Sequence, residues 1–163
     1  EIYMGDWSSD VCSSDLMSLL LIMGVTLGVT AQDSVKTKVK TQDVPANVQT
    51  ALKTAYPEAK DIDWKLKDGN YKASFEVSGT EHFACITTSG EVKIKGSEIP
   101  VTDLPTNISS AIKSSYAAWK IDDVFKVEEG GTTSYLVELD GSPDKHVHYT
   151  ADGKLVKEGP DEG

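Results

Sequence analysis

The run Val44-Pro45-Ala46-Asn47-Val48 returns sixty residues later as Leu104-Pro105-Thr106-Asn107-Ile108. A chain that repeats a local pattern in this way is expected to build two similar units. Each copy opens with an acidic residue and Pro, Asp43-Val44-Pro45 and Asp103-Leu104-Pro105. An acidic cap followed by Pro predicts a helix start, because Pro lacks only an N–H that would find no partner in the first turn. Val48, Ala51, Leu52, Ala55 and Tyr56 then recur at spacings of three and four, one apolar stripe, until Pro57 ends the run. Ile108, Ala111, Ile112 and Tyr116 repeat the stripe.

After each stripe the period drops to two. Ile62, Trp64 and Leu66 alternate with Asp63 and Lys65, which predicts a strand with one buried face. Asp68-Gly69-Asn70, Gly79 and Ser89-Gly90 punctuate three further runs: Tyr71 to Val77, Phe83 to Thr87, and Val92 to Ile94. In the second copy Phe125 and Val127 are matched to Trp64 and Leu66, and Gly130-Gly131, Asp140-Gly141-Ser142-Pro143 and Asp152-Gly153 make the turns. Short alternating runs joined by Gly-containing turns predict an antiparallel meander. The expected fold is therefore α+β, a tandem repeat of one helix followed by a four-stranded antiparallel meander. Its two helices pack on one face of an antiparallel sheet. The units span residues 43–96 and 97–159, and Leu52, Trp64, Tyr71, Phe75, Ile112, Phe125 and Tyr149 are the expected core. One unit of about 60 residues would bury too little surface to be comfortable alone, so a shared core is the simplest use of the repetition.

The sequence ahead of these units reads differently. Residues 1–16, EIYMGDWSSDVCSSDL, show no hydrophobic period and resemble a translated sequencing adapter, which would set Cys12 aside. From Met17, the apolar run Leu19 to Val29 is too short for a helix to cross a bilayer about 30 Å thick, but it suits the core of a secretory signal. Val29-Thr30-Ala31 supplies a small-residue cleavage site, predicting a signal peptide over 17–31, cleavage after Ala31 and a periplasmic or secreted protein. No Cys follows the run for a lipid anchor, and residues 32–42 read as a polar tether.

The chain beyond Ala31 has 16 Lys, no Arg and 22 acidic residues, a net charge of 16 − 22 = −6. That balance argues against nucleic acid, which is bound by basic neutralisation of phosphates, and against an anionic membrane surface. With Cys12 set aside, Cys85 has no partner, so no intramolecular disulfide is expected.

The V/L-P-x-N-I/V helix starts, Tyr56-Pro57, the run Ala59-Lys60-Asp61-Ile62-Asp63-Trp64 and the T-x-x-G-E/K-V/L hairpins at Thr87 and Thr150 resemble the PepSY-like, beta-lactamase-inhibitor-like family. The resemblance covers Asp43 to Glu158 and departs at Ala117 and Phe125. Members are exported bacterial proteins, common in Bacteroidota, without established catalytic residues. The resemblance implies binding or inhibition of another protein.

No nucleophile elbow, H-E-x-x-H, C-x-x-C or phosphate-binding Gly loop occurs beyond Ala31, so no enzyme and no cofactor is expected. Asp61-Ile62-Asp63 lacks the Gly that a calcium loop needs, since Leu66 stands there. His146 and His148, two apart on a strand, share a face and are candidate metal ligands, although two ligands do not complete a site. Superposing the hairpins on Gly90 and Gly153 matches Cys85 with His148. Phe83, Cys85, Leu136, His146 and His148 then fall on the face away from the helices, a mostly polar, open surface. Two readings follow. One is a non-enzymatic exported module, a protease or hydrolase inhibitor or an interaction protein, meeting an envelope or secreted partner through that face. The alternative is a periplasmic small-molecule or metal-binding protein using His146 and His148.

Overall fold

The computed structural model describes Cys12 and residues 37–160. The rest of the adapter-like stretch, the signal segment 17–31 and residues 32–36 of the tether lie outside the described residues.

The described residues form an α+β fold of two α-helices and nine strands. In chain order these are β1 (Thr37–Val39), α1 (Ala46–Ala55), β2 (Lys60–Lys67), β3 (Asn70–Val77), β4 (Thr80–Thr87), β5 (Val92–Glu98), α2 (Thr106–Ser115), β6 (Lys120–Glu129), β7 (Thr132–Asp140), β8 (Lys145–Thr150) and β9 (Leu155–Pro160). The strands make one antiparallel sheet whose spatial order is the chain order. Asp68-Gly69, Ser78-Gly79 and Gly130-Gly131 each supply two consecutive positive φ angles, as a two-residue hairpin loop requires. The β5–β6 ladder, from Ile94↔Glu129 to Glu98↔Phe125, joins the halves into one sheet.

Three expectations are corrected here. The tether is not wholly free of the fold: Thr37–Val39 pairs with β2, and Val39 opposite Trp64 packs on its core cluster. Asp43 and Asp103 do not cap the helices; they end short 3-10 turns, Thr41–Asp43 and Val101–Asp103. Pro45 and Pro105 are the capping residues, extended at ψ 141° and 137° and without a side-chain bond. Each offers its carbonyl to the N–H groups three and four residues on, which begins the α-helix one residue beyond the proline.

The helices pack on one face of the sheet. Under α1, Val44, Val48 and Leu52 meet Trp64, Ala73, Phe75, Ala84 and Ile86. Under α2, Leu104, Ile108, Ile112 and Tyr116 meet Val124, Val137, Leu139, Val147 and Tyr149. Leu52, Trp64, Phe75, Ile112 and Tyr149 are buried in these clusters, while Tyr71 is only partly buried at the edge.

Phe125 is the third correction in the core. It is buried, but on the opposite face, and Val124 occupies the place that corresponds to Trp64. The ladders show why: Trp64 pairs with Ala73, which pairs with Ala84, and Val124 pairs with Val137, which pairs with Val147. An irregularity in β2 between Lys60 and Asp63, with Asp61 at φ 50°, recurs in β6 between Ile121 and Val124. A bulge of this kind resets which residues face inward.

Candidate functional site: the second face of the sheet

Strand alternation turns the neighbours of the core residues to the other face. With Ala84 and Ile86 inward, Phe83 and Cys85 point outward; with Val147 and Tyr149 inward, so do His146 and His148. Leu136 lies opposite His148, and Lys72 opposite Cys85. The five sequence-predicted contact residues therefore do share one face.

That face is not the solvated surface expected. Phe83 is 0 % exposed, Cys85 and Leu136 2 %, and His146 and His148 7 %. Phe83, Cys85, Ile94, Phe125, Val127 and Leu136 form a third apolar cluster, together with Cys12. The Phe83 and Phe125 rings lie 6.0 Å apart across the seam between the halves. Ile94, Phe125 and Val127 were missed as members. Their signal was the pairing itself, since Ile94 lies opposite Cys85 and Phe125 opposite Leu136.

Cys85 is not a lone thiol in this structure. It is bonded to Cys12, whose carbonyl accepts a hydrogen bond from Asn70 Nδ2 at 3.3 Å. This overturns the expectation of no intramolecular disulfide, which had set Cys12 aside. Cys85 also has basic company that sequence proximity hid: Lys72 faces it across the ladder, and Lys65 faces Lys72. Lys72 Nζ stands 5.5 Å from the centre of the Phe83 ring.

Charge is divided across the face. Glu76, Glu81 and Glu98 lie side by side at one end of β3, β4 and β5, and the Glu81 amide donates to Glu98 Oε2 at 3.4 Å. Burial, then the charges of Glu98, Asp123 and Glu76, push the Glu81 carboxyl above its usual range. Burial, Asp122 and Glu98 do the same to Asp123. His148 is pushed the other way, down to about 4, by burial and then by Lys157 opposite it. It stays neutral at physiological pH, and its Nε2 has no hydrogen-bond partner among the described residues.

As metal ligands the two histidines lack company: no group of three His, Cys, Asp or Glu side chains is placed to hold an ion among the described residues. His82, in the matching strand, points to the helix face and stacks on Phe75 at 5.8 Å.

The fold and this chain's sequence both have relatives. A family model described as "Putative beta-lactamase-inhibitor-like, PepSY-like" matches residues 31–83 and again 66–157, and the chain belongs to that family. A beta-lactamase-inhibitor-protein-like (BLIP-like) protein from Bacteroides fragilis is similar at 26 % identity and TM-score 0.56, over 73 % of this chain and 88 % of that one. A DUF2874 family protein from Bacteroides ovatus is similar at 25 % identity and TM-score 0.59, over 71 % and 86 %. A protein from Bacteroides eggerthii described as "putative periplasmic" shares the fold at 20 % identity and TM-score 0.63, over 72 % and 88 %. No curated protein matches.

Proposed function

We propose that this member of the family is a non-enzymatic exported module that binds another protein through the second face of its sheet. The observation that carries the reading is the apolar cluster of Phe83, Ile94, Phe125, Val127 and Leu136 on a face that neither helix covers. Water-facing sheet surfaces are ordinarily polar. A patch of two phenylalanines and three aliphatic residues, ringed by Lys72, Glu81, Glu98 and two histidines, has the make-up of an interface centre with its polar rim.

Export follows from the apolar run before Ala31 and is supported by the periplasmic description of a relative sharing the fold. No helix among the described residues is long and apolar enough to cross a membrane. Cleavage after Ala31 together with loss of the Cys12–Cys85 bond would take Cys12 off the second face and leave the cluster to a partner. We further read the halves as two copies of one unit, because Pro45 and Pro105, Asn47 and Asn107, and Trp64 and Val124 hold equivalent places.

The test is retention of envelope proteins by the processed chain, compared with Leu136→Lys on the face and Lys113→Glu on α2. A partner that is kept by the α2 variant and lost by Leu136→Lys, with both variants folded, supports the reading. One that ignores Leu136 and Phe83 places the interface elsewhere.

A further inference from the structure

We propose that the cleft on the helix side of the sheet, where the two units meet, binds a small organic dicarboxylate held at two points by Lys93 and Lys95. This site lies on the side of the sheet away from the contact face, so it goes beyond that reading and is tested apart from it.

The cleft follows from the repeat. α1 packs on β2, β3 and β4, and α2 packs on β6, β7 and β8. β5, the fourth strand of the first unit, runs between β4 and β6, where the two helix clusters part. Lys95 and Ser97 of β5 face the helix side, since Lys95 lies opposite Ala84 and Ser97 opposite His82. Their partners on β6, Glu128 and Lys126, face the same way, and Thr133 and Tyr135 of β7 continue the two rows. A polar strip thus crosses the sheet between two apolar clusters. A cleft of about 430 Å³ lies against it, lined by Val92, Lys93 and Lys95 of β5, Glu128 and Thr133, and bounded by the Gly130-Gly131 hairpin. Small-molecule sites commonly have volumes of about 300–1,000 Å³.

Charge selects the occupant. Lys126 Nζ donates to Glu128 Oε1 at 3.0 Å, so the one carboxylate lining the cleft is already engaged. Lys93 and Lys95 have no ion-pair partner among the described residues. Three lysines and one glutamate leave a net +2 here, in a chain that carries −6 beyond Ala31. A cleft lined by one sign of charge concentrates ions of the other sign. The two free cations are separate points on one strand, no more than about 7 Å apart along the backbone. Beyond Ala31 the chain has no Arg to supply the planar fork that grips a phosphate. Two separated ammonium groups fit two carboxylates on a short carbon chain better than one tetrahedral anion. Thr133 adds a hydroxyl donor, and Val92, at the margin of the α1 cluster, offers an apolar wall to the carbons.

The test titrates the exported chain, labelled with nitrogen-15, with succinate, acetate, inorganic phosphate and a tetraglutamate peptide at constant ionic strength. The amide resonances of Lys95, Gly130, Gly131 and Thr133 should shift together and saturably with succinate. Succinate should bind at least about tenfold more tightly than acetate or phosphate, a difference of roughly 1.4 kcal/mol. Lys93→Gln and Lys95→Gln should each bring succinate down towards acetate. Both lysines are exposed, so these variants should keep the melting temperature of the parent. Lys38→Gln, on β1 at the far edge of the sheet, should leave the affinity unchanged. Acetate or phosphate binding as tightly as succinate, shifts that do not saturate, or an affinity that ignores both Lys93 and Lys95 would each overturn the proposal. Tetraglutamate binding more tightly than succinate would overturn it too, by assigning the cleft to an acidic polypeptide. Partner retention through the second face is scored separately, so failure of one reading leaves the other standing.

Discussion

Asn47 donates from Nδ2 to the Thr88 carbonyl at 2.7 Å, tying the first turn of α1 to the β4–β5 hairpin 41 residues further on. Asn107 does the same for α2 and the β8–β9 hairpin, reaching the Ala151 carbonyl at 3.2 Å. The repeated Asn after Pro is therefore a clasp between helix and sheet. Hydrogen bonds of this kind contribute about 0.5–1.5 kcal/mol net. Asn47→Ala and Asn107→Ala should each lower stability by that amount in thermal melts, and the two losses should add, because distant sites act independently. A double variant that melts no lower than either single one would show that the clasps are idle.

Trp64 and Trp119 should respond unequally to truncation. Trp64 is 2 % exposed beneath α1, whereas Trp119 stands at the margin of its cluster, its Nε1 donating to the Pro143 carbonyl at 3.0 Å. Removing a buried Trp costs about 3–5 kcal/mol, a large share of the roughly 5–15 available to a small domain. Trp64→Ala should therefore melt far below Trp119→Ala in differential scanning calorimetry. Trp64→Phe should lose less than Trp64→Ala, since it keeps an aromatic ring in the core while removing an indole N–H that has no partner among the described residues.

The same residues mark what the sequence makes legible. Helical spacing from Val48 to Tyr56 and alternation from Tyr71 to Val77 identify α1 and β3, because one apolar face is enough to set the period. The role of Asn47 was present only as a repeated letter, since nothing local shows that a side chain bonds to a hairpin 41 residues away. Pairing Phe125 with Trp64 was a slip of one residue, made by matching aromatic to aromatic across a bulge. A one-residue slip exchanges the two faces of a strand, and it hid the Phe83–Phe125 ring contact on the candidate site. Alternation assigned Phe83, Cys85 and Leu136 to a common face but could not report their burial, which depends on what lies over that face.

Phe83 and Gly96 should behave as a coupled pair. The Phe83 ring lies directly over Gly96 on the adjacent strand, where an added Cβ would come within 2.0 Å of a ring carbon. His146 crowds Gly159 at the matching place in the second half, 2.7 Å from the position of an added Cβ. Gly96→Ala should destabilise the fold, and Phe83→Ala should make room for the new methyl. The double-mutant cycle in urea should then show a favourable coupling in the range of about 0.5–3 kcal/mol found for residues in contact. Strict additivity would mean that the ring is not held over the glycine in solution.

Acid should weaken the fold through His148. Its folded pKa is about 4 against an ordinary 6.5, because burial, then Lys157, disfavours the charged ring. A group whose pKa is depressed on folding contributes stability that is full above the unfolded value and is lost as pH falls through the folded one. The loss should therefore develop between pH 6.5 and about 4, with a slope of at most about 1.4 kcal/mol per pH unit. Glu81 and Asp123 act in the opposite direction. Their raised folded pKa values mean that protonation relieves first the cost of burying the charges and then their repulsion, so stability returns as pH falls towards their ordinary values of 4.5 and 3.8. Single variants separate the two effects. His148→Gln should flatten the fall in melting temperature below pH 6.5, whereas Glu98→Gln, which removes a charge facing both Glu81 and Asp123, should raise the neutral-pH melting temperature and shrink the acid recovery. A His148→Gln profile that runs parallel to the parent down to pH 4.5 would show that the imidazole is solvated, and that the second face is open enough to charge it.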